Sequence, residues 1–148
     1  MKILLPIDQS KYSEAAIKEV RKRTWPARST VRVLSVIEPL PVPAAEVWYD
    51  NRGSLAAAER EMRKTIENLT ADRADKLRKK NLKVEIAIRE GHPRTAIVDE
   101  AQKWKADLIV MGSHGRTGLS RLLLGSAAQY VVSHAPCSVE VVRTNKKK

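Results

Sequence analysis

Short apolar segments alternate with longer amphipathic segments along the whole chain, and this alternation restricts the fold more than any other feature. Five segments have the length and composition of buried or half-buried strands. They are residues 3–7, 31–37, 82–88, 108–111 and 137–142. Helix patterns begin after Ser10, at Ser54, at Pro93 and near Ser126. Strands and helices that alternate in this way predict a parallel sheet with helices on both faces.

The fold class that fits this order is an α/β protein with an open, doubly wound five-stranded parallel sheet, in the strand order 3-2-1-4-5. Pro6 is expected at the end of the first strand, because proline removes a ladder hydrogen bond. The alternating segment 82–88 is expected at an edge of the sheet. Ligands of such sheets bind where the strand order reverses, beside the carboxyl ends of strands 1 and 4. Asp8 and Gly112 close these two strands.

A chain of 148 residues fits one domain, which we assign to residues 1–144 with a basic tail at 145–148. The formal net charge of +11 makes anionic partners plausible. However, the basic residues are spread over every helix and no nucleic-acid-binding motif is present, so solvated helix faces explain the charge and nucleic-acid binding is not favoured. The lone Cys137 indicates a reducing compartment. We therefore expect a cytoplasmic protein, and one without a membrane segment because no run of about 18 apolar residues occurs.

A glycine-rich segment directly follows the fourth strand. It has the pattern G-x2-G-x9-G-S, with glycines at Gly112, Gly115 and Gly125 and the serine at Ser126. Backbone N–H groups without a neighbouring Cβ can approach phosphate oxygens closely, and the start of the following helix attracts an anion. Glycines that only form turns are the alternative. The position at the reversal of the strand order favours a phosphate site.

Several enzyme classes are disfavoured. The chain has neither a Walker A loop nor the G-x-G-x-x-G dinucleotide fingerprint, so a typical NTPase or dehydrogenase is not expected. Ser113-His114 does not lie in a G-x-S-x-G motif. His92, His114 and His134 lack metal-ligand spacing, so a metal site made by protein side chains alone is not expected. No catalytic residue is assigned.

Four segments resemble the universal stress proteins of the UspA superfamily, in particular the ATP-binding branch that carries the spaced glycine motif. They are Leu4-Leu5-Pro6-Ile7-Asp8-Gln9-Ser10, the segment 107–118, Leu124-Gly125-Ser126 and His134-Ala135-Pro136-Cys137-Ser138-Val139. The resemblance covers essentially the whole chain. It implies an adenine nucleotide alpha hydrolase-like fold, an adenine nucleotide site, a role in stress response and commonly a homodimer.

By matching position, the resemblance implies that Asp8 contacts the nucleoside and, with weaker support, a magnesium or manganese ion bound to the nucleotide. It implies that Val36 meets adenine through its backbone. The full set of residues predicted to bind the nucleotide is Pro6, Asp8, Val36, Met111, Gly112, Gly115, Arg116, Gly125, Ser126 and Ala127. The family often has a hydroxyl residue two places after the serine, whereas Ala127-Ala128 follow Ser126 in this chain. By this comparison one phosphate donor is expected to be missing.

Some of these residues have other interpretations. Asp8 is also suited to cap the N-terminus of a helix. Arg116 and Arg121 either reach phosphates or remain solvated. Trp48-Tyr49, in a proline-bearing loop, either form a lid or partner surface or pack onto the sheet.

The sequence favours an ATP-binding regulatory protein over an enzyme, because no residue dedicated to positioning a water molecule is evident near the glycine-rich segment. A slow ATPase or phosphotransferase, or a sensor of AMP or a cyclic nucleotide, is the alternative. The last strand is expected to be an edge that pairs with a second copy through Val139 to Val142. Repulsion between the basic residues Arg143 and 146–148 would instead keep the chain monomeric.

Overall fold

A computed structural model describes residues 1–41, 53–80, 82–115 and 123–144 of the chain. Within these residues five strands alternate with four helices. The strands are β1 (Lys2–Pro6), β2 (Thr30–Ile37), β3 (Lys83–Glu90), β4 (Leu108–Gly112) and β5 (Ser138–Val142). The helices are α1 (Lys11–Lys22), α2 (Ser54–Arg78), α3 (Pro93–Trp104) and α4 (Ser126–His134).

All strand pairs are parallel, and the sheet has the order β3-β2-β1-β4-β5. Leu5 is in register with Val33 of β2, and Met111 is in register with Val141 of β5. The predicted fold class and strand order are therefore confirmed. The order reverses between β1 and β4, which are neighbours in the sheet although most of the chain separates them.

Alternate side chains of the central strands enter two different cores. Ile3 and Leu5 pack on one face of the sheet with α1 and α2, whereas Leu4 and Ile109 pack on the other face with α3 and α4. Every residue of β4 is buried, as the continuous apolar run predicts. Two covered faces account for the strong apolar character of the central strands.

Element boundaries follow the sequence closely. Pro6 is the last residue of β1, as predicted, and the next N–H, that of Ile7, donates to the carbonyl of Leu34 at 2.8 Å. The strand predicted at an edge is β3, where Ile86 is 41% exposed. Cys137 lies just before β5 rather than in it, and packs partly buried against the second core.

Two of the segments with sequence predictions that lie outside the described residues are separate in sequence from the glycine-rich segment. They are Trp48-Tyr49 and the basic tail 145–148. Among the helices that the structure describes, none is both long and apolar enough to cross a membrane.

Candidate functional site

A cavity of about 1050 Å³ opens at the carboxyl end of the sheet, where the strand order reverses. The structure brings together in its lining every predicted nucleotide-binding residue that it describes. These are Pro6, Asp8, Val36, Met111, Gly112, Gly115, Gly125, Ser126 and Ala127. Arg116 and Arg121 lie outside the described residues. Residues that are distant in sequence therefore line one cavity at the place that the strand order predicts.

Asp8 is held by a short network at the start of α1. Its N–H donates to the Ser13 hydroxyl at 3.0 Å, and its Oδ1 accepts the N–H of Ser10 at 2.9 Å. Ser10, and not Asp8, is the N-cap of α1, because the Ser10 hydroxyl accepts the N–H of Ser13. The interpretation of Asp8 as the helix cap is therefore wrong. Among the described residues, Oδ2 of Asp8 has no hydrogen-bond partner, which leaves one carboxylate oxygen for a ligand.

Gly112 allows α1 to pack closely against the end of β4. A Cβ atom at Gly112 would lie 2.6 Å from the carbonyl carbon of Tyr12, a distance that real Cβ atoms essentially never show. The missing side chain at Gly112 is thus required for packing between α1 and β4. Its predicted contact with a phosphate stays a prediction.

Gly125 shapes the turn that precedes α4. Its N–H donates to the carbonyl of Ser113 at 2.8 Å, and a Cβ atom at Gly125 would lie 3.0 Å from Cα of His114. The N–H groups of Ser126 and Ala127 in the first turn of α4 have no acceptor within the helix. That turn has no acidic residue and no side-chain cap, so the positive end of the helix dipole faces an uncompensated site.

His114 completes the polar end of the cavity. The ring is half-buried, its Nδ1 lies 3.0 Å from the Ser113 hydroxyl, and its centroid lies 4.9 Å from that of Tyr12. The Ser113 N–H donates to the carbonyl of Val142, which ties the glycine-rich segment to the end of β5. From the sequence, His114 is weighed as a metal ligand and, beside Ser113, as part of a catalytic pair, but this place in the cavity lining is not predicted.

The opposite wall of the cavity is apolar and comes from the first half of α2. Met62, Ile66 and Leu69 are half-buried and line the cavity, whereas Ala74 and Leu77, further along the same helix, are fully buried on the sheet. The sequence pattern of α2 shows one continuous apolar face. Only the structure shows that this face divides between the cavity and the core.

A hydrogen bond between two buried hydroxyl groups connects α2 to β2 beside the cavity. The Thr70 hydroxyl donates to the carbonyl of Ile66 at 2.6 Å, so it accepts the hydrogen bond from the Ser35 hydroxyl at 2.7 Å. Ser35 precedes Val36 in β2. The bond therefore connects the apolar wall to the strand that carries the predicted adenine contact.

Metal-binding potential is limited. In the described part of the chain, no three His, Cys, Asp or Glu side chains gather as metal ligands. The free oxygen of Asp8 suits magnesium or manganese bound mainly by phosphate groups, since Mg²⁺ usually takes one or two carboxylates together with substrate phosphates. Cys137 lies outside the cavity lining, and burial raises the pKa of its thiol.

The fold and the cavity define the class: an open doubly wound α/β protein with a ligand pocket at the reversal of its strand order. The chain belongs to the universal stress protein family, whose family model matches residues 1–143. A relative from Methanocaldococcus jannaschii, Universal stress protein MJ0531, is 35% identical over 99% of this chain and 84% of its own length. The solved structure of MJ0577, from the same organism, superposes with a TM-score of 0.81 at 30% identity, over 99% of this chain and 97% of that one.

Two more distant solved structures share the fold, each with a TM-score of 0.63. One is a universal stress protein in complex with cAMP, which is 20% identical and matches over 98% of both chains. The other is a family protein from Arabidopsis thaliana with AMP bound, which is 15% identical over 100% of this chain and 94% of that one.

Proposed function

We propose that the cavity binds an adenine nucleotide, with ATP as the physiological ligand, and that the bound nucleotide regulates a stress response in the cytoplasm. The observation that carries this proposal is the convergence of Asp8, Gly115 and the first turn of α4 on one cavity. Family members solved with AMP and with cAMP support the same class of ligand.

The two ends of the cavity suit the two ends of a nucleotide. The phosphates would lie at the first turn of α4, where the N–H groups of Ser126 and Ala127 and the Ser126 hydroxyl are donors. Gly115 would admit them to the backbone of the loop. Asp8 would hold the ribose and a magnesium or manganese ion, which would offset phosphate charge when bound.

The base would lie at the apolar end. Val36 and Met111 form the floor at the ends of β2 and β4, and Met62 and Ile66 face them from α2. A flat purine ring is stabilised when it leaves water for such an apolar slot, and the backbone of Val36 would recognise its edge. In this proposed pose the base and the phosphates would lie on opposite sides of Asp8.

We propose binding rather than rapid turnover. Among the described residues, Ser126 has no hydrogen-bonded base, and one oxygen of Asp8 already accepts the Ser10 N–H. A nucleophile without an activating base reacts slowly. A slow ATPase or phosphotransferase would use the same cavity.

The lack of a hydroxyl at Ala127 and Ala128 favours AMP or a cyclic nucleotide as the second candidate ligand, since fewer phosphate donors are then needed.

We also propose that the protein is a homodimer through β5. The β3 edge carries Lys83, Glu85 and Arg89, and such charges discourage pairing. On β5 the charge of Glu140 is paired with Arg23 through two hydrogen bonds of 2.6 Å, and its neighbours Val139 and Val141 are half-buried valines. The apolar edge is the one suited to a twofold contact.

Mass spectrometry of the small molecules released from freshly purified, heat-denatured protein tests the ligand. We expect an adenine nucleotide in near-stoichiometric amount, and hydrolysis assays should give slow or absent turnover. A released ligand without an adenine ring would contradict the proposal. Several turnovers per second that are lost in Ser126→Ala would instead favour the enzyme.

A further inference from the structure

Basic residues gather at the end of the sheet opposite the cavity. The strands begin there and the helices end there, because each helix of a doubly wound sheet runs antiparallel to its strands. The exposed members of this group, which we call the basal face, are Lys2, Lys22, Arg28, Lys79, Lys80, Lys83, Lys103 and Lys105. In sequence these residues are scattered from residue 2 to residue 105. The topology makes them neighbours.

The register of the strands fixes part of this arrangement. Lys2 and Lys83 both pair with Thr30, on opposite sides of β2, so they lie in one row across the sheet. Two strand spacings separate them by about 9.6 Å. The N–H of Asp107 donates to the carbonyl of Lys2, which places the turn after Lys105 beside the same row.

The charges of the basal face are not paired with carboxylates among the described residues. Within the described residues, no carboxylate lies within 4 Å of Lys79, Lys80 or Lys83, nor of the other ammonium and guanidinium groups of the basal face. Two carboxylates close to these residues in sequence have other hydrogen-bond partners. Asp75 pairs with Arg78, and Asp107 accepts the backbone N–H of Lys2.

Two basic residues occupy backbone positions that disfavour them. Arg28 and Lys105 have φ of 63° and 56°, and they are the only non-glycine residues with positive φ in the described part of the chain. Glycine is the usual residue there, and Lys105 is the C-cap residue that directly follows α3. The helix dipole favours lysine in the last turn of a helix. It does not account for Arg28, which precedes β2, or for a strained backbone at Lys105.

We propose that the basal face binds the phosphate backbone of duplex nucleic acid without reading its sequence. A duplex carries one negative charge per about 1.7 Å of its axis, so basic groups spread over one face can each contact a phosphate of the same duplex. Single strands are bound by exposed aromatic rings. The ring of Trp104 is instead covered by Lys2 and Arg32 and is only 9% exposed. Membrane binding needs apolar side chains beside the charges. Among the described residues, Met1 is the only large exposed apolar side chain next to a strand start at this end of the sheet.

Fluorescence anisotropy with a short labelled DNA duplex of arbitrary sequence tests the proposal. The first variant combines Arg28→Gly with Lys105→Gly, which removes two charges and relieves two unfavourable backbone positions. The second combines Lys79→Gln with Lys80→Gln, the two exposed residues that directly follow α2. The matched control combines Arg60→Gln with Lys64→Gln, two exposed residues in the first half of the same helix that have no ion pair within the described ranges.

We expect each basal variant to bind the duplex about tenfold more weakly, with the slope of log K against log salt reduced by about 1.8 for two lost phosphate contacts. The control should stay within about twofold of the parent protein, because its charges lie far from the contact. The glycine variant should melt at or above the parent temperature. Equal weakening in the control, no binding to the duplex by the parent protein, or tighter binding to phosphatidylserine vesicles than to the duplex would overturn the proposal.

Discussion

The carboxylate of Asp8 lies directly against Gly115, so that a Cβ atom at residue 115 would be 3.3 Å from Oδ2. This contact joins the loop after β1 to the glycine-rich segment after β4. The two loops come from strands that are adjacent only because the strand order reverses between them. The proposed nucleotide site depends on this meeting point.

Gly115→Val should weaken ATP binding by about tenfold or more, or about 1.4 kcal/mol, because the added methyl groups crowd Asp8 and block access to the backbone. The fold should survive, since the φ of Gly115 is not positive. Calorimetric titration measures the change. Ser133→Val, an exposed change on α4 outside the cavity lining, is the matched control. Unchanged affinity in folded Gly115→Val would show that the loop at Gly115 does not contact the nucleotide.

Asp8→Asn should weaken binding of ATP when magnesium is present and have little effect when magnesium is chelated. The asparagine oxygen can still accept the N–H of Ser10, so the loop keeps its shape. Only the negative charge at the second oxygen is lost. Titrations with and without a chelator distinguish the two conditions. An equal loss in both would show that Asp8 serves the nucleoside alone.

The sequence predicts the sheet, its order and the place of the cavity, because hydrophobic period and the order of elements are local or topological properties. The separate packing roles of the glycines could not be predicted in this way. Gly112 is needed because Tyr12 packs against it, and Gly125 because the backbone of His114 passes close by. Such approaches depend on the distance between elements that are remote in sequence, and no spacing of glycines encodes them.

Glu100→Gln should destabilise the fold by about 3 kcal/mol, since it removes the buried carboxylate charge that Arg32 and Arg89 share. The Glu100 side chain is 2% exposed and accepts hydrogen bonds from Arg32 at 2.7 Å and from Arg89 at 2.7 and 3.1 Å. Urea unfolding measures the effect.

The exposed pair of Arg63 with Glu67 provides the control, and Glu67→Gln should cost less than about 1 kcal/mol. Similar small losses for both substitutions would mean that the buried carboxylate is no more important than the surface one.

Val141→Pro should convert the proposed dimer to a folded monomer. The carbonyl of Val142 accepts the Ser113 N–H on the β4 side. Successive residues of a strand point their N–H groups to opposite sides, so the N–H of Val141 faces the open edge. Proline there removes a donor to the second copy without breaking the bonds to β4.

Light scattering together with thermal melting checks this result, and Val142→Pro is the comparison because its N–H faces β4. That variant should lower the melting temperature more than Val141→Pro does, because Val141→Pro loses only the stabilisation by the second copy, whereas Val142→Pro also breaks a bond to β4. A parent protein that is monomeric, or a dimer that persists in folded Val141→Pro, would contradict the proposed interface.

The apolar wall of the site could not be predicted from the pattern of α2. Met62 and Leu77 occupy the same face of an amphipathic helix, and both are typical of a core. The first half of α2 overhangs the open end of the sheet, so Met62 faces the cavity, whereas Leu77 packs on the sheet itself. The grouping of the basic residues on the basal face could not be predicted from the sequence pattern either. They look dispersed along the chain until the strand order assigns them to one end.

An NMR titration of the isotope-labelled protein with ATP tests the central claim most directly, because it reports both binding and its location. The account predicts saturable shifts of the backbone amide signals of Asp8, Val36, Gly115 and Ser126, with those of the basal face unchanged. Equal shifts with GTP, shifts confined to residues outside the cavity, or no shifts at millimolar ATP would contradict it.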